Sequence, residues 1–255
     1  MTPIQNPPPL GLSVESEGTN LAALSMTPAM RQIADVIVRQ WSAVKQFRPL
    51  ARHGIYPIRQ LLFHGPPGNG KTFACQWIAQ QLRVPLYRVR CEQVVGSLLG
   101  QTTSNIGAVL TWVKEQPPAI VLFDEVETLF PARRAGGDSC SRELNSAMTV
   151  YWQHLDRWET QHLFVMATNM PAALDDALKS RIEMQLEFGP PTEAQAREVI
   201  NYWAEVLNQY GADQWRPKIE ERLDTGNRYA SFRELWQTIQ QATVAYVTDS
   251  LGAES

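Results

Sequence analysis

The sequence predicts an α/β fold: a parallel sheet flanked by helices, followed by a small all-helical C-terminal domain. Three observations predict it. Short runs that are apolar almost throughout, "LLFHG", "AIVLFD" and "HLFVMATN", read as strands buried on both faces. Segments with helical spacing lie between them, as the crossovers of a parallel sheet require. From Thr192 onward the strand signals stop and only helical periodicity continues. The expected division is a flexible N-terminal tail over 1–24, a large α/β domain over 25–190 and a small helical domain over 191–255.

Each element has a local reason. "MTPIQNPPPLGLSVESEGTN" is rich in Pro, Gly and Ser and lacks periodicity, so it reads as the tail. Met30, Ile33, Ile37 and Trp41 recur at spacings of three or four and predict a helical pattern from about Thr27 to Leu50. "LLFHG" is the first core strand and "RVPLYRVRC" reads as a short second one. "SNIGAVLTWVKEQ" reads as a helix stopped by Pro117 and Pro118. "AIVLFD" is a strand ending in an acid, and "SRELNSAMTVYWQHLDRW" a long amphipathic helix. "HLFVMATN" and "EMQLEF" close the sheet. "EAQAREVINYWAEVL" and "FRELWQTIQQATVAYV" carry the helical periodicity of the last domain. No internal repeat is visible.

Composition narrows the function classes. The 255 residues are 44% hydrophobic, enough for the core of one large domain with an appendage. A formal net charge of −3 gives no general attraction to nucleic acid or to anionic membranes. Cys75, Cys91 and Cys140 show neither metal-ligand spacing nor a disulfide framework, which points to a reducing interior. No apolar run approaches the roughly 20 residues needed to span a bilayer, and the N-terminus lacks the charged-then-apolar order of a signal peptide. The expectation is a soluble, cytoplasmic protein.

The chemistry concentrates at three strand ends. Gly65 to Thr72, "GPPGNGKT", fits G-x-x-x-x-G-K-[ST], the phosphate-binding loop, with a strand before it and a helix after it. Glycines let successive backbone N–H groups curl around an anion, and the following helix turns its positive end toward it. The candidate nucleotide residues are therefore Gly65, Pro66, Pro67, Gly68, Asn69, Gly70, Lys71, Thr72 and Phe73. Lys71 would reach the β- and γ-phosphates, and Thr72 would offer its hydroxyl to Mg²⁺. The alternative is a Gly-Pro turn with no ligand. In "AIVLFDEVE", Asp124 ends a buried strand and Glu125 follows at once. A carboxylate at a strand tip of such a sheet lies where ligands bind. Asp124 suits the Mg²⁺ shell and Glu125 suits polarising the attacking water; the alternative is two solvated acids. A kinase would not need the second acid there. Asn169 ends the next apolar strand and would lie beside Asp124. It would hold the water or touch the γ-phosphate, or else cap the helix starting near Pro171.

At these residues the sequence resembles the AAA+ ATPases, and within them the classical AAA group. "HGIYPIRQLLFHGPPGNGKT" is similar to the family's approach to its phosphate loop. "PPAIVLFDEVETLFPARR" is similar to its Walker B region, and "VMATNMPAALDDALKSRIEMQLEF" to its sensor 1 strand and the segment that follows. The likeness covers about Thr27 to Ala242. It implies a P-loop ATPase fold and ATP hydrolysis with Mg²⁺. It also implies a homo-oligomeric, hexameric ring acting on a protein substrate or a separately encoded effector, while the charge and the lack of a long apolar run count against nucleic acid and a membrane as partners. By resemblance Arg181 corresponds to an arginine finger that reaches the neighbouring subunit's nucleotide, with a surface arginine as the alternative. Met184 stands where the family often has a second finger. Arg233 falls where other groups place a sensor 2 arginine, or is a solvated helix charge. Arg142 lies where a subunit-interface arginine is often found. Leu98 and Leu99, followed by Gly100, occupy the place of the pore loop, which usually carries an aromatic; they face a pore or tuck into the core. The usual Gly-Gly motif ahead of the first helix is missing.

Three functions stay open at this point. One is a ring motor that remodels or threads a protein. Another is a nucleic-acid-linked loader or transposition helper, against which the mild acidity counts. The third is a nucleotide-switched scaffold that regulates a partner.

Overall fold

The computed structural model describes residues 7–15, 27–96, 100–132, 139–156, 162–209 and 228–252. Six strands form one sheet: β1 (Leu12–Glu15), β2 (Gln60–His64), β3 (Leu86–Arg90), β4 (Ile120–Asp124), β5 (Leu163–Thr168) and β6 (Met184–Glu187). Their order is β1-β3-β4-β5-β2-β6. All neighbours run parallel except β1, which pairs antiparallel with β3. The helices are α1 (Pro28–Gln32), α2 (Arg39–Ser42), α3 (Val44–Ala51), α4 (Lys71–Leu82), α5 (Cys91–Val94), α6 (Gln101–Lys114), α7 (Ser139–Asp156), α8 (Asp176–Arg181), α9 (Glu193–Asn208) and α10 (Phe232–Gly252). The α/β class read from the sequence is the class of the structure.

One expectation is corrected and another gains detail. The stretch read as a tail over 1–24 contributes β1. Gly11, at φ +80°, turns the chain so that its carbonyl accepts the Arg90 N–H at 2.8 Å, and Leu12 enters the core. A four-residue strand with one buried side chain leaves no periodic signal; its stability comes from pairing with β3, far along the chain. The helical pattern expected from about Thr27 to Leu50 is present, wound as α1, a π-helical turn over Ile33–Val38, α2 and, after Ala43, α3. Ile33 and Ile37 are fully buried. Apolar spacing of three and four fits both windings, so the sequence does not reveal the insertion.

The described residues group into two compact units. The first holds the whole sheet with the helices from α2 to α8. On one face of the sheet Val89, Val121, Phe123 and Phe164 share a core with Ile106 and Leu110 of α6 and Tyr151 of α7. Phe123 and Tyr151 meet edge to face, with ring centroids 5.6 Å apart. Alternation along the strands turns Arg88, Leu122 and Asp124 to the other face, where α4 lies against β3, β4 and β5. The second unit gathers 27–31, 66–70, α9 and α10. Ala196, Ile200 and Ala204 of α9 pack with Leu235 and Ile239 of α10. Thr192 and Gln195 close a capping box at the start of α9.

Candidate active site

The turn after β2 has the geometry its glycines predict. Gly65, Gly68 and Gly70 stand at φ +133°, +79° and +91°, conformations that favour glycine. α4 begins at Lys71, so its first free N–H groups open onto the turn. Lys71 is buried, and its Nζ donates to the Gly65 carbonyl at 2.7 Å. Within the second unit, Asn69 Nδ2 donates to the Pro66 carbonyl at 3.4 Å and Asn69 Oδ1 accepts the Phe232 N–H at 3.3 Å. Pro66 and Pro67 are exposed, and Thr72 and Phe73 are half-buried.

Sheet order brings the other candidates to the same end. β5 lies between β2 and β4, and Phe63, Ala167 and Asp124 form one row across the three strands. The residues just beyond that row are His64 and Gly65, Thr168 and Asn169, and Glu125. Two strand spacings separate β2 from β4, about 10 Å, a distance that nucleotide phosphates can bridge. Glu125 is exposed and left-handed, at φ 55° and ψ 49°, where the chain turns off β4 into a 3₁₀ turn over Val126–Thr128. Holding a non-glycine residue there costs about 1–2 kcal/mol, and such residues cluster at functional sites.

Asn169 is half-buried directly after β5. The alternative of a helix cap is not what the structure shows. The residue ahead of the 3₁₀ turn Pro171–Ala173 is Met170, without a side-chain cap, and its N–H goes to Thr168 Oγ1 at 2.9 Å. Arg181 is exposed at the end of α8, its guanidinium carbon 4.9 Å from the centre of the Trp152 ring. Asp175, 3% exposed, caps α8 by accepting the Ala177 and Leu178 N–H groups. Ala132 donates to the Ala173 carbonyl at 2.7 Å and Asp175 to the Phe130 carbonyl at 3.3 Å, so the segment after Glu125 is tied to the start of α8. Met184 is a buried residue of β6. Arg142 is exposed on α7, and Arg233 is exposed in the first turn of α10, its N–H donating to the Gly68 carbonyl within the second unit. Leu98 and Leu99 lie outside the described residues.

Sequence reasoning missed Arg88. Its Nε and Nη2 donate to Asp124 Oδ2 at 3.1 and 2.5 Å, and Nη1 reaches Glu15 Oε1 at 3.4 Å. Burial works against the Arg88 charge, but the hydrogen bonds and field of Asp124, with Glu15 behind, outweigh it and hold the guanidinium above its ordinary range. The available signal was an arginine at an inward position of "LYRVR", which calls for a carboxylate partner.

The family model described as "ATPase family associated with various cellular activities (AAA)" matches residues 61–190, just over half of the chain. An uncharacterized AAA family ATPase of Sinorhizobium fredii is 32% identical over 154 residues, 59% of this chain and 46% of that protein. A probable 26S proteasome regulatory subunit 10B of Caenorhabditis elegans is 29% identical over 164 residues, 63% of this chain and 40% of that protein. A 26S proteasome regulatory subunit 8 homolog of Saccharomyces cerevisiae is 27% identical over 187 residues, 72% of this chain and 45% of that protein. The chain thus spans less than half the length of these curated relatives. No helix among the described residues is long and apolar enough to cross a membrane. With a phosphate-type turn, a paired Asp-Glu and an amide at adjacent strand tips, and with this match over its central half, the chain belongs to the AAA family of ATPases.

Proposed function

We propose that the protein hydrolyses ATP with Mg²⁺ and works as a homo-oligomeric ring, a hexamer, that remodels or threads a partner protein in the cytoplasm. One observation carries the reading: the row through Phe63, Ala167 and Asp124 gathers the turn at Gly65–Thr72, Asp124–Glu125 and Asn169 at one end of the sheet. In this reading the backbone N–H groups of the turn and the Lys71 ammonium bind the phosphates, with Pro66, Pro67, Asn69 and Phe73 shaping the turn and its exit. Thr72 and Asp124 are hard oxygen donors, too few for an all-protein cage and suited to a Mg²⁺ completed by water and phosphate. The ion would supply charge neutralisation at the β- and γ-phosphates. Glu125 accepts a hydrogen bond from the attacking water and turns its lone pair toward the γ-phosphorus. Asn169 holds that water without adding charge.

Arg181 completes the neighbouring subunit's site, so full activity needs an interface. Its exposure and its rest on Trp152 support that role. Arg233 takes the sensor 2 role that the family resemblance implies, and Leu98 and Leu99 grip the partner. The proteasome regulatory subunits among the relatives support a protein as the partner, either a substrate or a separately encoded effector. Glu125→Gln tests the reading. It should bind ATP as the parent does and hydrolyse it about 10²–10⁴-fold more slowly, the range for a lost general base. Normal turnover would remove Glu125 from the mechanism.

A further inference from the structure

On the α4 face of the sheet a continuous polar chain crosses three strands. Arg90 is the register partner of Asp124, and Arg88, two residues earlier on the same face, reaches Asp124 diagonally. Both contacts fall on one oxygen, Oδ2. Behind Arg88 stands Glu15 on the edge strand β1, and Glu15 Oε2 accepts from Gln76 Nε2 at 3.0 Å. Gln76 lies one turn after Thr72 on α4. The side chains of Arg88, Asp124 and Glu15 keep only 29%, 19% and 22% of their exposure. Neither Arg88 nor Glu15 belongs to the phosphate turn or to the acidic pair.

We propose that Arg88 is the positioning residue that aims Asp124 at Mg²⁺, and that Glu15 holds Arg88 in place. This rests on the reading of Asp124 as a Mg²⁺ ligand. A lone carboxylate at a strand tip can rotate freely about its last torsion. Two guanidinium nitrogens on Oδ2 fix that torsion and keep Oδ1 as the oxygen available to a Mg²⁺-bound water. The planar fork of arginine sets an orientation that the point charge of a lysine does not. The edge strand thereby takes part in the metal site: β1 brings the carboxylate that keeps Arg88 extended along the sheet.

The test follows binding rather than turnover. The full chain, freed of metal, is loaded with a fluorescent ADP analogue and titrated with Mg²⁺. Arg88→Gln should raise the Mg²⁺ half-saturation about 10–100-fold, the usual effect of losing an outer partner of a metal ligand, and leave the Mg²⁺-free affinity for the nucleotide unchanged. Arg88→Lys should recover part of the loss. Glu15→Gln, which keeps the backbone pairing of β1, should shift the half-point less, in the same direction. Circular dichroism checks folding; if Arg88→Gln does not fold, Arg88→Lys and Glu15→Gln carry the test. An unchanged or lowered half-point overturns the proposal, a lowered one meaning that Arg88 competes with the ion. Asp124→Asn runs in parallel. If it leaves the Mg²⁺ dependence intact, the reading of Asp124 itself fails; if it shifts the half-point and Arg88→Gln does not, only the role of Arg88 fails.

Discussion

Gly68→Ala should damage the protein far more than Gly70→Ala, although both glycines sit in the same turn with positive φ. Any L residue at either position meets the left-handed cost, about 1–2 kcal/mol. Both changes also stiffen the unfolded chain, which returns about 0.4–1 kcal/mol. The surroundings differ. A methyl on Gly68 would stand 2.9 Å from Arg233 Cβ and 3.3 Å from Ser231 Oγ, whereas one on Gly70 meets nothing within 4 Å. Arg233 Cβ is fixed to the backbone and cannot swing aside, and the Arg233 N–H is bonded to the Gly68 carbonyl at 3.0 Å. Overpacking of this kind costs about 1–3 kcal/mol. Gly54→Ala, at φ +77° with nothing within 4 Å, is a control outside the turn. Trp203 and Trp236, with ring centroids 4.5 Å apart in the same unit as Gly68, make tryptophan fluorescence a local reporter of urea unfolding. A difference of about 2 kcal/mol at a slope of about 2 kcal/mol per molar urea separates the Gly68→Ala and Gly70→Ala midpoints by about 1 M. Hydrogen exchange at the Arg233 amide should accelerate in Gly68→Ala alone. Equal midpoints for the two variants would refute the argument, because they would mean that the 66–70 segment does not rest on residues 231–233.

Other perturbations test the site and the core. Lys71→Ala should lose nucleotide binding by calorimetry, since it removes the buried ammonium at the turn; unchanged affinity would refute its phosphate role. Arg181→Ala should keep near-normal ATP affinity and fold, and turn over about 10³-fold more slowly or worse. Mixed with Glu125→Gln subunits, it should regain activity at interfaces that pair an intact Glu125 with a neighbour's intact Arg181; no recovery despite co-assembly would exclude action in trans. His162 is 1% exposed, and burial lowers its pKa from 6.5 to about 4. The unfolded chain therefore binds the extra proton first, and about 3 kcal/mol of stability is lost as the pH falls from about 6.5 to about 4. His162→Gln should flatten that part of the stability profile in urea titrations; an unaltered slope would exclude His162 as its source.

Local patterning in the sequence determined the elements that carry the site. Apolar runs of five to eight residues without alternation, bounded by turn residues, fit strands covered on both faces, so β2, β4 and β5 were legible, and Asp124 at a strand tip followed from where one run ends. The turn at Gly65 was legible because a backbone that must adopt positive φ repeatedly admits little besides glycine, and that constraint is written residue by residue. Tertiary structure alone decided what depends on partners distant in the chain. No local signal sets β5 between β2 and β4, yet that order aligns Asn169, Glu125 and the turn. β1 was read as tail because four residues with one buried side chain are held by pairing, not by composition. The π-helical turn at Ile33–Val38 was hidden because its apolar spacing serves either winding. Arg88 was passed over for the same reason as β1: a charge within a strand has no meaning until the neighbouring strand supplies its carboxylate. Backbone conformation and burial are encoded by each residue and its near neighbours, whereas pairing depends on which surfaces the folded chain brings together.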